Sequence, residues 1–391
     1  MSKLLITLTL LIWSSILLAQ EGYVVRVWLT DKRECGYSTD NPQEFLSDRS
    51  IARHSREQIE ISEQDLPITQ HYKQEVMNMA QRIVTYSNWL NTLVAECDSN
   101  NIQQIKQLPF VKKVEVLSKA KVDSVDFKLN FYSACNTKRH PLYGVSHPIA
   151  KSAKVATYHK RGKRGEGVYI AVMDAGFGGV DTLSRWFDND RIKFTCDVVN
   201  PQGNIYRENE HGTAVLSIML ANREGEYMGI APKSDYALIR TEDINIEAPH
   251  EEDLFVRGLE IADSLGVDIV NVSLGYSDYE NITSVSTLAS EIATRKGIIV
   301  VTSCGNRGEA GFTHPADAKG VIAVGGVDKR GRVTEFTSKE VVCGRYKAPK
   351  VCALASDVPV ITGNGKFMIT YGTSFAAPAI SGAVATKKSR K

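Results

Sequence analysis

Val168-Tyr169-Ile170-Ala171-Val172-Met173-Asp174 is a continuous apolar run that ends on a carboxylate. A strand with no polar face is expected to be parallel and covered on both sides. The chain beyond it alternates in the same spirit. His211–Ala221 has helical character, Tyr236–Thr241 strand character, and Asp253–Leu265 apolar residues at helical spacing. Asp268–Leu274 then reads as a strand, Ser284–Lys296 as a helix, and Gly297–Ser303 and Val321–Val324 as strands. Strand and helix in turn predict an α/β fold, a mostly parallel sheet with helices on both faces. Sites in such sheets form beyond the carboxyl ends of the strands.

Asp174 stands at such an end. Alone, Asp174-Ala175-Gly176 is a turn, but an aspartate there can also accept a hydrogen bond from a histidine and fix its tautomer. His211 opens His211-Gly212-Thr213-Ala214-Val215, where a glycine lets another chain come close; none of the other seven histidines has such a setting. Near the end of the chain, Gly372-Thr373-Ser374-Phe375-Ala376-Ala377-Pro378 sets a serine among small residues before a small, apolar, helix-like stretch. A serine at a helix start lies near unpaired N–H groups and the positive end of the helix dipole, a good place for an oxyanion.

These three stretches, in the order Asp, His, Ser, resemble the signatures of the subtilisin-like serine peptidases. The resemblance implies a subtilisin-like peptidase domain over residues 151–391. It implies Ser374 as nucleophile, His211 as general base and Asp174 as its orienting partner. It implies Asn306, after Gly305, as a side-chain donor to the oxyanion, although Gly305-Asn306 alone is only a turn. Ser273, Leu274 and Gly275 resemble the segment that pairs with an extended substrate, with Cys304 and Gly305 lining the neighbouring side-chain pocket. One departure is Ala175, where the family commonly has Ser or Thr. The family often binds calcium, yet no compact carboxylate loop is present, so no metal site and no cofactor are assigned.

Composition is ordinary for a globular protein. In 391 residues the net charge is +2 and 43% are hydrophobic. That excludes the strong basic bias of a nucleic-acid binder. The cluster Lys160, Arg161, Lys163, Arg164 lies among glycines and reads as a solvated loop. Seven scattered cysteines with no Cys-x-x-Cys argue against zinc, and Cys343 and Cys352 are a candidate pair.

Residues 1–20 read as a secretory signal: Lys3, an apolar core interrupted by Ser and Thr, then Ala19. The core is too short to span a bilayer. Residues 21–117 read as a small α+β unit. Its strands are Tyr23–Leu29, Thr85–Val94 and Phe110–Val116; residues 43–60 and Asn101–Leu108 are helix-like. The end of this unit resembles the inhibitor-type, ferredoxin-like prodomain that precedes such catalytic domains. That implies an intramolecular inhibitor and self-cleavage between residues 118 and 142. Residues 118–150 are read as a linker leading into the catalytic domain. The last helix is expected to bury Ala377, Ile380, Ala383 and Val384, and the polar end after Val384 reads as truncated. The function that follows is a secreted endopeptidase acting on peptides or proteins. The alternative is an impaired homologue that serves as a secreted binding or inhibitory protein.

Overall fold

The structure is a computed structural model that describes residues 22–121, 131–134, 139–342 and 345–390. The expected signal segment, Cys343 and most of the expected cleavage region lie outside these residues. An N-terminal unit runs β1 (Gly22–Leu29), α1 (Asp48–Glu57), α2 (Gln70–Met79), β2 (Arg82–Ser87), β3 (Thr92–Asp98), α3 (Ser99–Ile105), β4 (Val111–Lys119). The four strands pair antiparallel in the order β2-β3-β1-β4, the ferredoxin-like arrangement. The expected single strand Thr85–Val94 is in fact a hairpin, with Asn91 at φ 52 closing the turn. Helix α2, in which Val76 is the buried residue, has no counterpart in the sequence reading.

The second sheet has seven parallel strands. In chain order these are β5 (Tyr169–Asp174), β6 (Ile192–Asp197), β7 (Asp235–Arg240), β8 (Ile269–Val272), β9 (Ile299–Ser303), β10 (Ile322–Val327) and β11 (Val351–Leu354). Their spatial order is β11-β10-β9-β8-β5-β7-β6. Successive residues of β5 serve opposite cores: Ile170 and Val172 face one, Tyr169, Ala171 and Met173 the other. The first core holds helices α4 (His211–Leu220) and α7 (Ala376–Lys388). All ten residues of α4 are buried, which accounts for a sequence with no charged face. The second core holds α5 (Glu251–Leu265) and α6 (Val285–Arg295). Strands β6 and β11 were not foreseen. Within the stretch read as a linker, Tyr143, Val145, Ile149 and Ala150 are buried in the first core, so that stretch ends inside the catalytic fold.

Helix α7 differs from expectation in the face it buries. Ala377, Ser381, Gly382, Ala385 and Thr386 go inward, while Ile380, Ala383 and Val384 are half-buried. A side chain at Gly382 would meet Ile230 at 2.7 Å, so the close approach selects small residues. Thr386 Oγ1 donates to the Ile230 carbonyl at 2.8 Å. Cys352 donates its thiol to the Pro349 carbonyl at 3.4 Å; its expected partner Cys343 is outside the described residues. No helix among the described residues is long and apolar enough to cross a membrane.

The N-terminal unit docks on α5 through buried charge. Fully buried Arg26 donates to Asp253 Oδ1 at 2.8 Å and Oδ2 at 2.7 Å, and to Glu115 at 3.2 Å. Arg53 pairs with Asp263 and donates to the Val267 carbonyl at 2.8 Å; Lys296 pairs with Asp65. Ser87 Oγ and Trp89 N–H donate to Glu260 at 2.6 and 2.9 Å. Trp89 enters the second core beside Leu259 and Ala262.

Candidate active site

Asp174 is the last residue of β5, level with Arg240 of β7. Helix α4 begins at His211, whose N–H donates to Asn209 Oδ1 at 2.8 Å. The helix can sit this close because residue 212 is glycine. A Cβ there would meet the Gly176 carbonyl at 2.3 Å and Asp174 Cβ at 3.0 Å. The result is a 2.8 Å contact between His211 Nδ1 and Asp174 Oδ1. Both side chains are buried. That bond places the imidazole proton on Nδ1 and leaves the Nε2 lone pair to act as a base. Burial alone would lower the His211 pKa, but the charge and hydrogen bond of Asp174 outweigh it and leave it above the ordinary value. Asp174 Oδ1 also accepts from Ala175 N–H at 2.9 Å, whereas Oδ2 is buried with no partner among the described residues. Residue 175 is the position where a hydroxyl was expected, and alanine brings none.

Ser374 lies in a short turn, Thr373–Phe375, that leads into α7. The ring of Phe375 packs 5.4 Å from that of His211, which brings the turn beside the imidazole. The carbonyl of Ser374 accepts from Ser273 Oγ at 2.8 Å. Ser273 in turn accepts from Asn271 Nδ2 at 3.0 Å, and Asn271 Oδ1 accepts from Ser381 Oγ at 2.8 Å. The sequence reading missed Asn271 and Ser381. An asparagine within the apolar run of β8 was the available signal, since a buried amide must find partners.

Asn306 is exposed, and its Oδ1 accepts from both Thr373 N–H at 2.9 Å and Thr373 Oγ1 at 3.0 Å. Two donors on one atom settle which end of the amide is oxygen, so Nδ2 is left to donate elsewhere. Ser374 N–H, in the first turn, has no intrahelical acceptor. Gly305 has φ +98, and a side chain there would meet Ser338 and Thr313 at 2.9 Å. Of the expected substrate segment, Ser273 and Leu274 are buried and Gly275 is exposed. Cys304 is buried, its thiol directed at the Ser338 carbonyl at 3.6 Å and pushed up to about 12 by burial.

The wall beside Gly275 is pinned by His314. Tyr276 and His314 exchange backbone hydrogen bonds at 2.9 and 3.0 Å, and the His314 ring bridges Asp317 at 3.0 Å and Asp278 at 2.8 Å. The Asp317 bond, against burial, raises its pKa to about 9. A raised folded-state pKa gives stability that is full below the unfolded value near 6.5 and lost as pH climbs through about 9. Melting temperature is therefore expected to fall between pH 6 and 9.5 by an increment that His314→Gln removes.

Among the described residues one His/Asp cluster, His54, Asp65 and Asp263, has ligand atoms within 4.8 Å of one another. Lys296 already pairs with Asp65 and Arg53 with Asp263, so both carboxylates are neutralised without an ion.

A doubly covered parallel sheet carrying a carboxylate–imidazole pair beside a serine turn is the arrangement of a serine hydrolase. The chain belongs to the subtilase family, whose model matches residues 165–391, more than half of its length. Residues 24–130 match a peptidase S8 propeptide domain of Bacteroidota. A thermostable alkaline protease of Halalkalibacterium halodurans is 30% identical over 59% of this chain and 60% of its own length. The major intracellular serine protease of Bacillus subtilis is 28% identical over 61% of the chain and 74% of its own. Subtilisin E of the same organism is 25% identical over 76% of the chain and 70% of its own.

Proposed function

We propose that the chain is the precursor of a secreted serine endopeptidase. The observation that carries this reading is the His211–Asp174 hydrogen bond beside the Ser374 turn. Ser374 Oγ attacks the carbonyl carbon of a peptide bond as His211 Nε2 takes its proton. Asp174 holds the imidazole and balances its positive charge. The new oxyanion is held by Asn306 Nδ2 and Ser374 N–H. His211 then gives the proton to the leaving amine, and water hydrolyses the acyl-enzyme by the same steps in reverse. The propeptide unit acts as an intramolecular inhibitor that the enzyme removes by cutting between residues 118 and 142.

A fluorophosphonate probe tests this. The folded protein should be labelled at Ser374, and kcat/KM should fall as pH is lowered through the His211 pKa, above about 6.5, because only the neutral base works. Folded protein that takes no label would instead support the binding or inhibitory role.

A further inference from the structure

The nucleophile turn hangs from a short hairpin, Val358–Ile361 and Phe367–Thr370. Its first strand is buried in the first core, and Ile361 N–H donates to Ser217 Oγ of α4 at 3.1 Å. The Pro359 carbonyl accepts from Tyr227 Oη at 2.8 Å. The second strand ends at Thr370, and a single residue, Tyr371, separates it from Gly372. Gly372 N–H donates to the Ala355 carbonyl at 2.8 Å, Thr373 is held by Asn306, and Ser374 follows. The register of Phe367–Thr370 is therefore passed through one residue to the serine turn.

The other edge of that strand is covered by a segment from far upstream. Ser133–Ala134 pairs antiparallel with it, Ser133 opposite Ile369 and Ala134 opposite Met368. Tyr132 N–H donates to the Ile369 carbonyl at 3.1 Å, which extends the ladder. Phe131 packs against the first core. The ladder satisfies backbone groups that an open edge would present to solvent or to another chain. These residues directly follow the stretch that matches the propeptide domain.

Tyr132 adds a side-chain contact. It is 51% exposed, and its ring lies 6.3 Å from that of Tyr371, which also lies 5.8 Å from that of Phe336. Tyr132 Oη donates to Asp357, the residue before the hairpin, and Asp357 pairs with Lys329 at 3.3 Å. The Phe336 carbonyl accepts from Gly308 N–H at 3.0 Å, in the loop that carries Asn306. Tyr371 thus stands between the upstream segment and the loop of the proposed oxyanion donor.

We infer that residues 131–134 stay with the catalytic domain when the propeptide is cut away, and that Tyr132 is a positioning residue for the nucleophile turn. This deepens the peptidase reading and rests on it. The cut falls before Phe131, because a paired segment has its backbone committed to Phe367–Thr370 and cannot also lie as an extended strand along Ser273–Gly275. With the segment in place, the strand that leads to the serine has partners on both edges. That fixes its register and, through Tyr371, the placement of Ser374. Misplacing a reacting group by about 1 Å can cost on the order of 10²-fold in rate.

The test uses the full chain, with the mature product identified by N-terminal sequencing and active sites counted by fluorophosphonate labelling. The mature chain should begin at or before Phe131. Per labelled site, Tyr132→Ala should lower kcat about tenfold with KM near that of the parent, and the rate of labelling should fall in step. Tyr132→Phe keeps the ring beside Tyr371 and gives up one exposed hydrogen bond, so it should lose no more than about threefold. A merely structural role would lower the melting temperature but leave kcat per labelled site unchanged. That result overturns the inference, as does a mature chain that begins after Phe131. Sequencing is done on the parent protein, so it decides even where Tyr132→Ala does not fold. Protein that labels and hydrolyses peptide but gives either overturning result removes the inference alone. Protein that neither labels nor hydrolyses any peptide removes the peptidase reading, and this inference with it.

Discussion

Ser374→Ala is expected to lower peptide hydrolysis by about 10⁴-fold or more, a magnitude general to such triads, and to abolish fluorophosphonate labelling. The far-ultraviolet circular dichroism should not change. The fold holds residue 374 through its carbonyl, which Ser273 binds, so alanine keeps the anchor and loses only the nucleophile. Asn306 calls for a finer comparison, because Oδ1 anchors Thr373 while Nδ2 is the proposed donor. Asn306→Ala removes both functions; Asn306→Asp keeps an oxygen for Thr373 and removes only the donor. Equal losses of about 10²–10³ in kcat in the two variants assign the loss to the oxyanion. An Asp variant of nearly full activity would make Asn306 a brace for the serine turn and no more. Ser374→Ala that retains most of its activity would refute the nucleophile.

The second large effect is one of stability. Arg26→Ala leaves Asp253 buried without its cation, while Glu115 keeps Lys113. Breaking one side of a buried pair typically costs about 3–5 kcal/mol, since the stranded charge loses both water and partner. In a Ser374→Ala background, where self-cleavage is blocked, the urea midpoint of the precursor should drop accordingly. The double variant Arg26→Met, Asp253→Leu should recover much of the loss, because an apolar pair strands a smaller charge. An Arg26→Ala midpoint within error of the parent would mean that the pair contributes nothing net to docking.

The doubly wound sheet was legible because buried parallel strands carry unbroken apolar runs, and the segments between them read as helices, one of them with apolar residues at helical spacing. What was not legible has particular causes. The hairpin over Thr85–Val94 looked like one strand because Trp89, at its tip, is apolar. A turn exposed to water would have been polar, but this one buries its tryptophan in the core of another unit. Helix α7 misled for the opposite reason. Size suggested that Ile380 and Val384 point inward, but the tight crossing beside Ile230 admits only small and hydroxyl-bearing residues. Edge strand β6 alternates in burial and is half-exposed, so it lacked the apolar signature of β5. In the site, the proposed triad was read from motif and order. The brace of Asn271, Ser273 and Ser381 was not, since three polar residues spread over 110 positions form no local pattern.

Strand β5 has a bearing on which lineages of this chain are open to change. Its residues divide alternately between two cores, and its final residue is Asp174. Deleting one residue between Tyr169 and Met173 would send every side chain beyond the deletion to the opposite face and turn the carboxylate away from His211. Substitutions there trade only packing, but a change of length erases function in a single step. Insertions should therefore accumulate in the turns around residues 199–204 and 328–332, which follow β6 and β10, and be absent from the strand itself. The spacing that ties Asp174 to the start of its strand is a clock that length variation cannot reset.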